Sequence, residues 1–266
     1  MYKTLTAFLF FPLYVLSGDL VLNPGQYQVQ FDYFSDSATQ FYDTYKIGQP
    51  IEMLEQASKY NHSGYSMDLR YGASNHTTLV IKGNWLNRDL DMWSSDGLES
   101  YYIGVQLRRI SSMYHSFQWE IGFWGDGSYN AEDPLPLGPG ENTWQVNGSY
   151  MLSLNPFHGH AFFDTGYLFR GGDLSNQWTF NTGVSMNIVE NTEFQVIYNM
   201  AESQDHSRIP FDLLGYPIES GYQKAGVGFK VGLGKRFSLT ASYEKVLKGR
   251  NFFQTSGYHT GFAWLF

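Results

Sequence analysis

The chain has 266 residues, a net charge of −8, no cysteine, 18% aromatic residues and only 16% charged ones. The negative charge excludes a basic nucleic-acid-binding surface, and the lack of thiols excludes a disulfide framework, a cysteine metal cluster and a thiol nucleophile. A mean hydropathy of −0.33 excludes a bundle of apolar helices, while so few charges beside so many rings are unlike a soluble domain.

The first segment is apolar from Leu5 to Leu16, with Lys3 before it and Ser17-Gly18-Asp19 after it. It falls short of the ~20 residues that a membrane-spanning helix needs. Val15 and Ser17 fit the minus-three and minus-one positions of a signal-peptidase site, so residues 1–17 read as a signal peptide and 18–266 as one exported domain. No cysteine follows the apolar stretch, which excludes a lipoprotein signal.

From Gln26 onward apolar and polar residues alternate. Tyr27, Val29, Phe31 and Tyr33 alternate with Gln28, Gln30 and Asp32; Tyr65, Met67, Leu69 and Tyr71 with Ser66, Asp68 and Arg70. Leu79, Ile81 and Trp85 alternate with Val80, Lys82 and Asn84; Ile103, Val105 and Leu107 with Gly104, Gln106 and Arg108; Phe117, Trp119, Ile121 and Phe123 with Gln118, Glu120 and Gly122. Next come Trp144, Val146, Tyr150 and Leu152 opposite Gln145, Asn147 and Ser149, then Phe163, Tyr167 and Phe169 opposite Asp164, Gly166 and Arg170. Trp178, Phe180, Val184, Met186 and Ile188 oppose Asn181, Gly183, Ser185 and Asn187; Phe194, Val196, Tyr198 and Met200 oppose Gln195 and Asn199. Ala225, Val227, Phe229 and Val231 oppose Lys224, Gly226, Gly228 and Lys230; Phe237, Leu239, Ala241 and Tyr243 oppose Ser238, Thr240, Ser242 and Glu244. The last segment sets Tyr258, Phe262, Trp264 and Phe266 against His259, Gly261 and Ala263.

Side chains along a strand point alternately to opposite faces, so each segment carries one apolar and one polar face. About twelve such segments of roughly ten residues predict an all-β fold, a single-domain transmembrane antiparallel β-barrel. Charged residues in the middle of strands disfavour a soluble sandwich, and closure pairs every backbone group, as hydrocarbon demands. The connections alternate in length. Ala73 to His76, Ile110 to Tyr114, Asn155 to His158, Val189 to Glu193 and Gly234 to Arg236 are short; Ser35 to His62, Arg88 to Ser100, Gly125 to Asn142 and Ser203 to Gly221 are long, with Gly171 to Asn176 and Lys248 to Phe253 between. Short turns lie on the periplasmic side of outer-membrane barrels and long loops outside, which puts both chain ends in the periplasm. A short helix over Ile51 to Tyr60, or a loop cap, could sit in the first outer loop.

The final residues His259, Gly261, Trp264 and Phe266 resemble the assembly signal of outer-membrane proteins, with a Gly upstream and aromatics at the third-last and last positions. That resemblance implies the bacterial outer membrane, contact with its lipid and lipopolysaccharide, and recognition by the barrel-assembly machinery. The chain also resembles the transporter-type family connected with the meta-pathway of phenol degradation, related in architecture to fatty-acid transporters. The likeness rests on Asn23-Pro24-Gly25-Gln26-Tyr27, on Tyr71 to Leu79, on Leu137 to Asn142, on Gly166 to Arg170 and on Gly249-Arg250-Asn251. An N-terminal hatch like that of the fatty-acid transporters has no counterpart ahead of the first strand, which counts against a hatch mechanism here.

The polar faces predict a lumen lined by Asp32, Asp68, Arg70, Lys82, Arg108, Glu120, Asp164, Arg170, Lys224, Lys230 and Glu244. Such charges either pair and fill the interior or select which solutes pass. The expected function is passive passage of a small solute of unnamed identity. The alternatives are a closed barrel that displays its outer loops, and a lipid-acting barrel enzyme built on His62-Ser63 or His115-Ser116, which adjacency alone does not assemble. No catalytic set, cofactor or metal site is expected, and no nucleic-acid partner. Trp85, Trp119, Trp124, Trp144, Trp178 and Trp264 read as membrane-interface girdle, and Trp93 as a ring in an outer loop able to meet a ligand.

Overall fold

A computed structural model describes residues 8–9, 13–15, 22–42, 50–52, 60–90, 93–112, 114–127, 142–154, 159–171, 175–204, 221–234, 236–250 and 252–266. Twelve antiparallel strands close into one barrel. They are β1 (Tyr27–Ala38), β2 (Tyr60–Ser74), β3 (Thr77–Leu90), β4 (Trp93–Ser111), β5 (His115–Asp126) and β6 (Thr143–Leu154), followed by β7 (Gly159–Arg170), β8 (Gln177–Val189), β9 (Thr192–Ser203), β10 (Gly221–Leu233), β11 (Phe237–Arg250) and β12 (Ser256–Leu265). Each strand pairs with its sequence neighbours. The seam joins β12 to β1 in a register running from Ser256↔Ser37 to Leu265↔Gln28. Residues Gln40–Tyr42, Pro50–Glu52 and Phe252–Phe253 form a small separate sheet beyond the ends of β1 and β11.

The period-two pattern explains which way each strand faces. Tyr65, Ile103, Ile121, Trp144, Phe163, Trp178, Val196, Phe229 and Tyr258 are all exposed on the outer surface, while Gln28, Asp68, Lys82, Gln106, Glu120, Gln145, Gln195 and His259 are buried inside. Outward rings meet across strands: Tyr33–Tyr65 at 5.1 Å, Phe163–Phe180 at 4.9 Å, Tyr167–Trp178 at 4.6 Å and Tyr243–Tyr258 at 5.2 Å between centroids. The result is a continuous apolar and aromatic belt. In water it would be an open liability; against lipid it is a matched surface.

Trp124 departs from the expected girdle. It is 6% exposed and points into the lumen, whereas Trp119, on the same strand, is 43% exposed. The reason is parity: Trp119 and Trp124 are an odd number of residues apart and so lie on opposite faces. Two expected loops are also largely strand. β3 continues to Leu90 and β4 starts at Trp93, so most of Arg88 to Ser100 is hairpin. β1 and β2 likewise reach Ala38 and Tyr60. β4 spans 19 residues, where about ten suffice to cross a bilayer. The surplus lies at the end away from the short turns, where no face need be apolar and the alternation signal disappears. Trp93 accordingly opens a strand. Ile51 and Glu52 belong to a short strand and Tyr60 to β2, so no helix forms at these positions of the expected Ile51–Tyr60 helix, and residues 53–59 lie outside the described residues. The turn at 155–158, most of the two long loops at 128–141 and 205–220, and the signal segment except 8–9 and 13–15 also lie outside them.

Candidate functional site: the barrel lumen

The lumen wall is built from the inward parity of each strand. On β1 to β6 it is a dense polar network. Arg70 Nη2 donates to Asp68 Oδ2 at 2.7 Å and Arg70 Nε to Asp68 Oδ1 at 3.0 Å, a two-pronged pair between neighbouring inward positions of β2. Arg70 Nη1 also reaches Gln106 Oε1 on β4 at 3.4 Å. Lys82 Nζ lies 3.1 Å from Glu120 Oε1, two strands away, and 4.6 Å from the centre of the Tyr102 ring. Trp124 Nε1 donates to Gln145, which donates in turn to Asn147 at 2.9 Å. Gln30 Nε2 donates to Asp32 at 2.8 Å. Burying such charges is costly, and pairing within the network offsets that cost.

The lumen is not uniformly polar. Val80, Tyr102 and Trp124 form a buried cluster with Leu168 of β7 packed on it. Ala201, Tyr222 and Val246 form another, and Phe34 packs on Leu86. Phe34 also meets the His62 ring at 4.9 Å, and His259 lies 3.5 Å from Asp36.

The wall from β7 to β12 differs. Asn181 donates to Asp164 at 3.0 Å and Ser185 to Glu193 at 3.0 Å. Farther round the barrel the inward positions of β10 and β12 include Gly226, Gly228, Gly257 and Gly261, with Lys224 and Lys230 on β10. A Cβ at Gly261 would collide with the Asp32 carboxylate, and one at Gly257 with Asp36. These glycines therefore let the acidic side chains of β1 lie flat against β12.

All eleven charges expected to line the lumen face it or its rim, in differing roles. Asp68, Arg70, Lys82 and Glu120 join the β2–β5 network, Asp32 lies on β1, and Asp164, Lys224, Lys230 and Glu244 lie on β7, β10 and β11. Arg108 is half-buried beside the short turn, its backbone N–H bonded to His76 O at 2.9 Å. Arg170 is a rim fastener: its Nε donates to Ser175 O at 2.5 Å and its Nη2 to Ser203 Oγ at 3.0 Å. Arg88–Glu99 at 3.1 Å extends the charged lining toward the long-loop end, and Arg250–Glu202 at 2.7 Å ties the same end on the opposite parity, both residues in register with Gly221. Neither pair is among the expected lining residues; continuing the inward parity of β3 reaches Arg88, whereas the bulge between Gln223 and Lys224 shifts the face of the end of β11 and hides Arg250.

The histidine–serine neighbours do not form a dyad. His62 faces inward against Phe34, and Ser63, the next residue of the same strand, takes the other face. His115 stacks on Tyr150 at the short-turn end, 6.4 Å between rings. Among the described residues no group of three or more His, Asp or Glu could hold a metal.

No family model and no curated relative matches the sequence. Solved structures do. An outer-membrane channel from Pseudomonas putida F1 superposes with a TM-score of 0.74 at 13% identity, over 95% of this chain and 100% of that one. The NanC porin gives 0.52 at 7% identity, over 90% and 98%. At these identities the likeness concerns fold. A closed, even-stranded barrel with a lipid-facing belt and a polar interior is the architecture of the outer membrane, and the chain is a bacterial outer-membrane β-barrel.

Proposed function

We propose that the barrel is a passive channel for small solutes, which move through the polar lumen along the wall formed by β8 to β12. The observation that carries this reading is the lining of the closed barrel, whose inward positions carry buried polar and charged side chains around the ring. The bulky charged side chains of β2 to β5 are tied to one another, and β8 to β12 add Ser185, Glu193, Asn199, Lys224, Lys230, Glu244 and His259 to the interior. Twelve strands stand between barrels filled by side chains and wide porins, so an eccentric path beside a packed wall suits this size. Lys224, Lys230 and Glu244 line that path and would set its ion preference. The motifs resembling the phenol meta-pathway transporter-type family support solute passage, and kinship with that family is part of the proposal. Assembly through the terminal strand is also proposed: Trp264 and Phe266 are exposed on the lipid face, stacked at 4.5 Å.

The test is single-channel conductance of the refolded barrel in a planar bilayer. Discrete, salt-dependent steps are expected, with a shift toward cation preference in Lys230→Gln. A stably inserted but silent barrel would favour the second reading, a closed barrel that presents its outer loops. The interior cluster of Val80, Tyr102, Trp124 and Leu168 supports that alternative.

A further inference from the structure

Among the described lumen carboxylates, Glu244 stands apart. Asp68 meets Arg70, Glu120 meets Lys82, Glu99 meets Arg88, Asp164 meets Asn181 and Glu193 meets Ser185. Glu244 is 2% exposed, yet neither of its carboxylate oxygens has a hydrogen-bond partner among the described residues. Two strands away, Asn199 is 1% exposed, and its amide oxygen and nitrogen are likewise without partners.

The register brings the two together. Glu244 pairs with Gly226 of β10, and Gly226 with Ile197 of β9, one inward position from Asn199. A Cβ at Gly226 would lie 2.6 Å from Glu244 Cγ, so the glutamate side chain leans over the glycine toward β9. Ile197 and Val246, both fully buried, supply apolar surface on either side. Three oxygen acceptors, two of them the Glu244 carboxylate oxygens, thus lie at inward positions flanked by Ile197 and Val246. Lys224 pairs with Asn199 in register, and its Nζ is drawn over the Tyr222 ring at 5.4 Å.

We propose that Glu244 and Asn199 form a lumen subsite for a small organic cation, a primary alkylammonium whose N–H groups bond the Glu244 carboxylate and the Asn199 amide oxygen while its alkyl chain lies against Ile197 and Val246. The inference deepens the channel reading and rests on it only for the claim that such cations pass through. A buried carboxylate and an amide without partners carry a desolvation cost that a charged donor relieves. Acceptors outnumber donors at the pair, which selects a cation over an anion, and the apolar flanks select an alkylated one over a bare metal ion.

The probe is butylammonium, with butanol as its neutral counterpart, read by saturation-transfer NMR on the barrel refolded in detergent micelles. Butylammonium should bind, and Glu244→Gln should weaken it about tenfold, the usual effect of losing one charge-assisted bond, with butanol unchanged. Asn199→Ala should weaken it in the same sense. It also serves as the independent variant if Glu244→Gln fails to fold. Equal binding by wild type and both variants would overturn the subsite, as would full displacement of butylammonium by equimolar sodium. Conductance recorded on the same preparation separates the two ideas. A silent barrel that binds butylammonium through Glu244 keeps the subsite and removes the channel, and a conducting barrel that does not bind it removes the subsite alone.

Discussion

Gly261 has no room for a side chain, because a Cβ there would occupy the space of the Asp32 carboxylate, whose other oxygen accepts from Gln30. Gly261→Ala should therefore destabilise the barrel by the ~1–3 kcal/mol typical of overpacking and lower its thermal midpoint. Heat-modifiable gel mobility would show it, and an unchanged transition would mean that Asp32 simply swings aside. Arg70, 1% exposed and doubly bonded to Asp68, is the larger case. Arg70→Ala leaves a buried carboxylate unpaired and should cost about 3–5 kcal/mol, and adding Asp68→Asn should restore much of that. Urea unfolding of the two variants in lipid vesicles measures the difference. At this scale the sequence was informative about side and uninformative about partner. Parity put Asp68, Lys82 and Glu120 inside, and would have put Trp124 there too had it been counted along the strand from Trp119. That Lys82 meets Glu120, two strands away, depends on side-chain reach across the lumen, which no linear spacing encodes.

Elements were legible where lipid touches them. A strand crossing hydrocarbon must show one apolar face, so the transmembrane portions of all twelve strands stand out in the sequence. Beyond the bilayer the constraint lapses, and the outer ends of β3 and β4 passed for loop, with Asn87, Arg88 and Asp89 running into Ser94, Ser95 and Asp96. Turns carry their own signature. Asn191, in the two-residue connection between β8 and β9, has φ of 62°, a left-handed conformation that asparagine tolerates and β-branched residues do not. Asn191→Gly should leave stability nearly unchanged, and Asn191→Val should cost roughly 1–2 kcal/mol. If the valine variant unfolds at the wild-type urea concentration, the turn is not under that constraint.

For the molecule as a whole, the question is whether the lumen conducts. The cluster that Trp124 forms with Tyr102, Val80 and Leu168 reaches from β3 to β7 and narrows the interior there. Trp124→Ala should raise single-channel conductance if ions pass beside this cluster. A value equal to wild type would place the constriction elsewhere. The closed barrel was foreseeable because an even set of alternating strands has no other stable arrangement in lipid. The tying together of Asp68 with Arg70 and of Lys82 with Glu120 on one side of its interior was not. It follows from which inward positions happen to stack at one height once the strands are tilted and staggered, a property of the closed cylinder rather than of any segment.

The seam between β1 and β12 has a kinetic consequence. Its partners, such as Ser37 with Ser256 and Gln28 with Leu265, come from opposite ends of the chain, making this the most non-local strand pairing among the described residues, and non-local pairing is slow. Until β12 arrives, the free edge of β1 is a row of unpaired amides and carbonyls that hydrocarbon does not accept and that invites pairing with another chain. Folding must therefore proceed with that edge sheltered, and the order of events is forced: a lumen exists only after the last strand has been made, so every intermediate is an open sheet with neither an inside nor an outside.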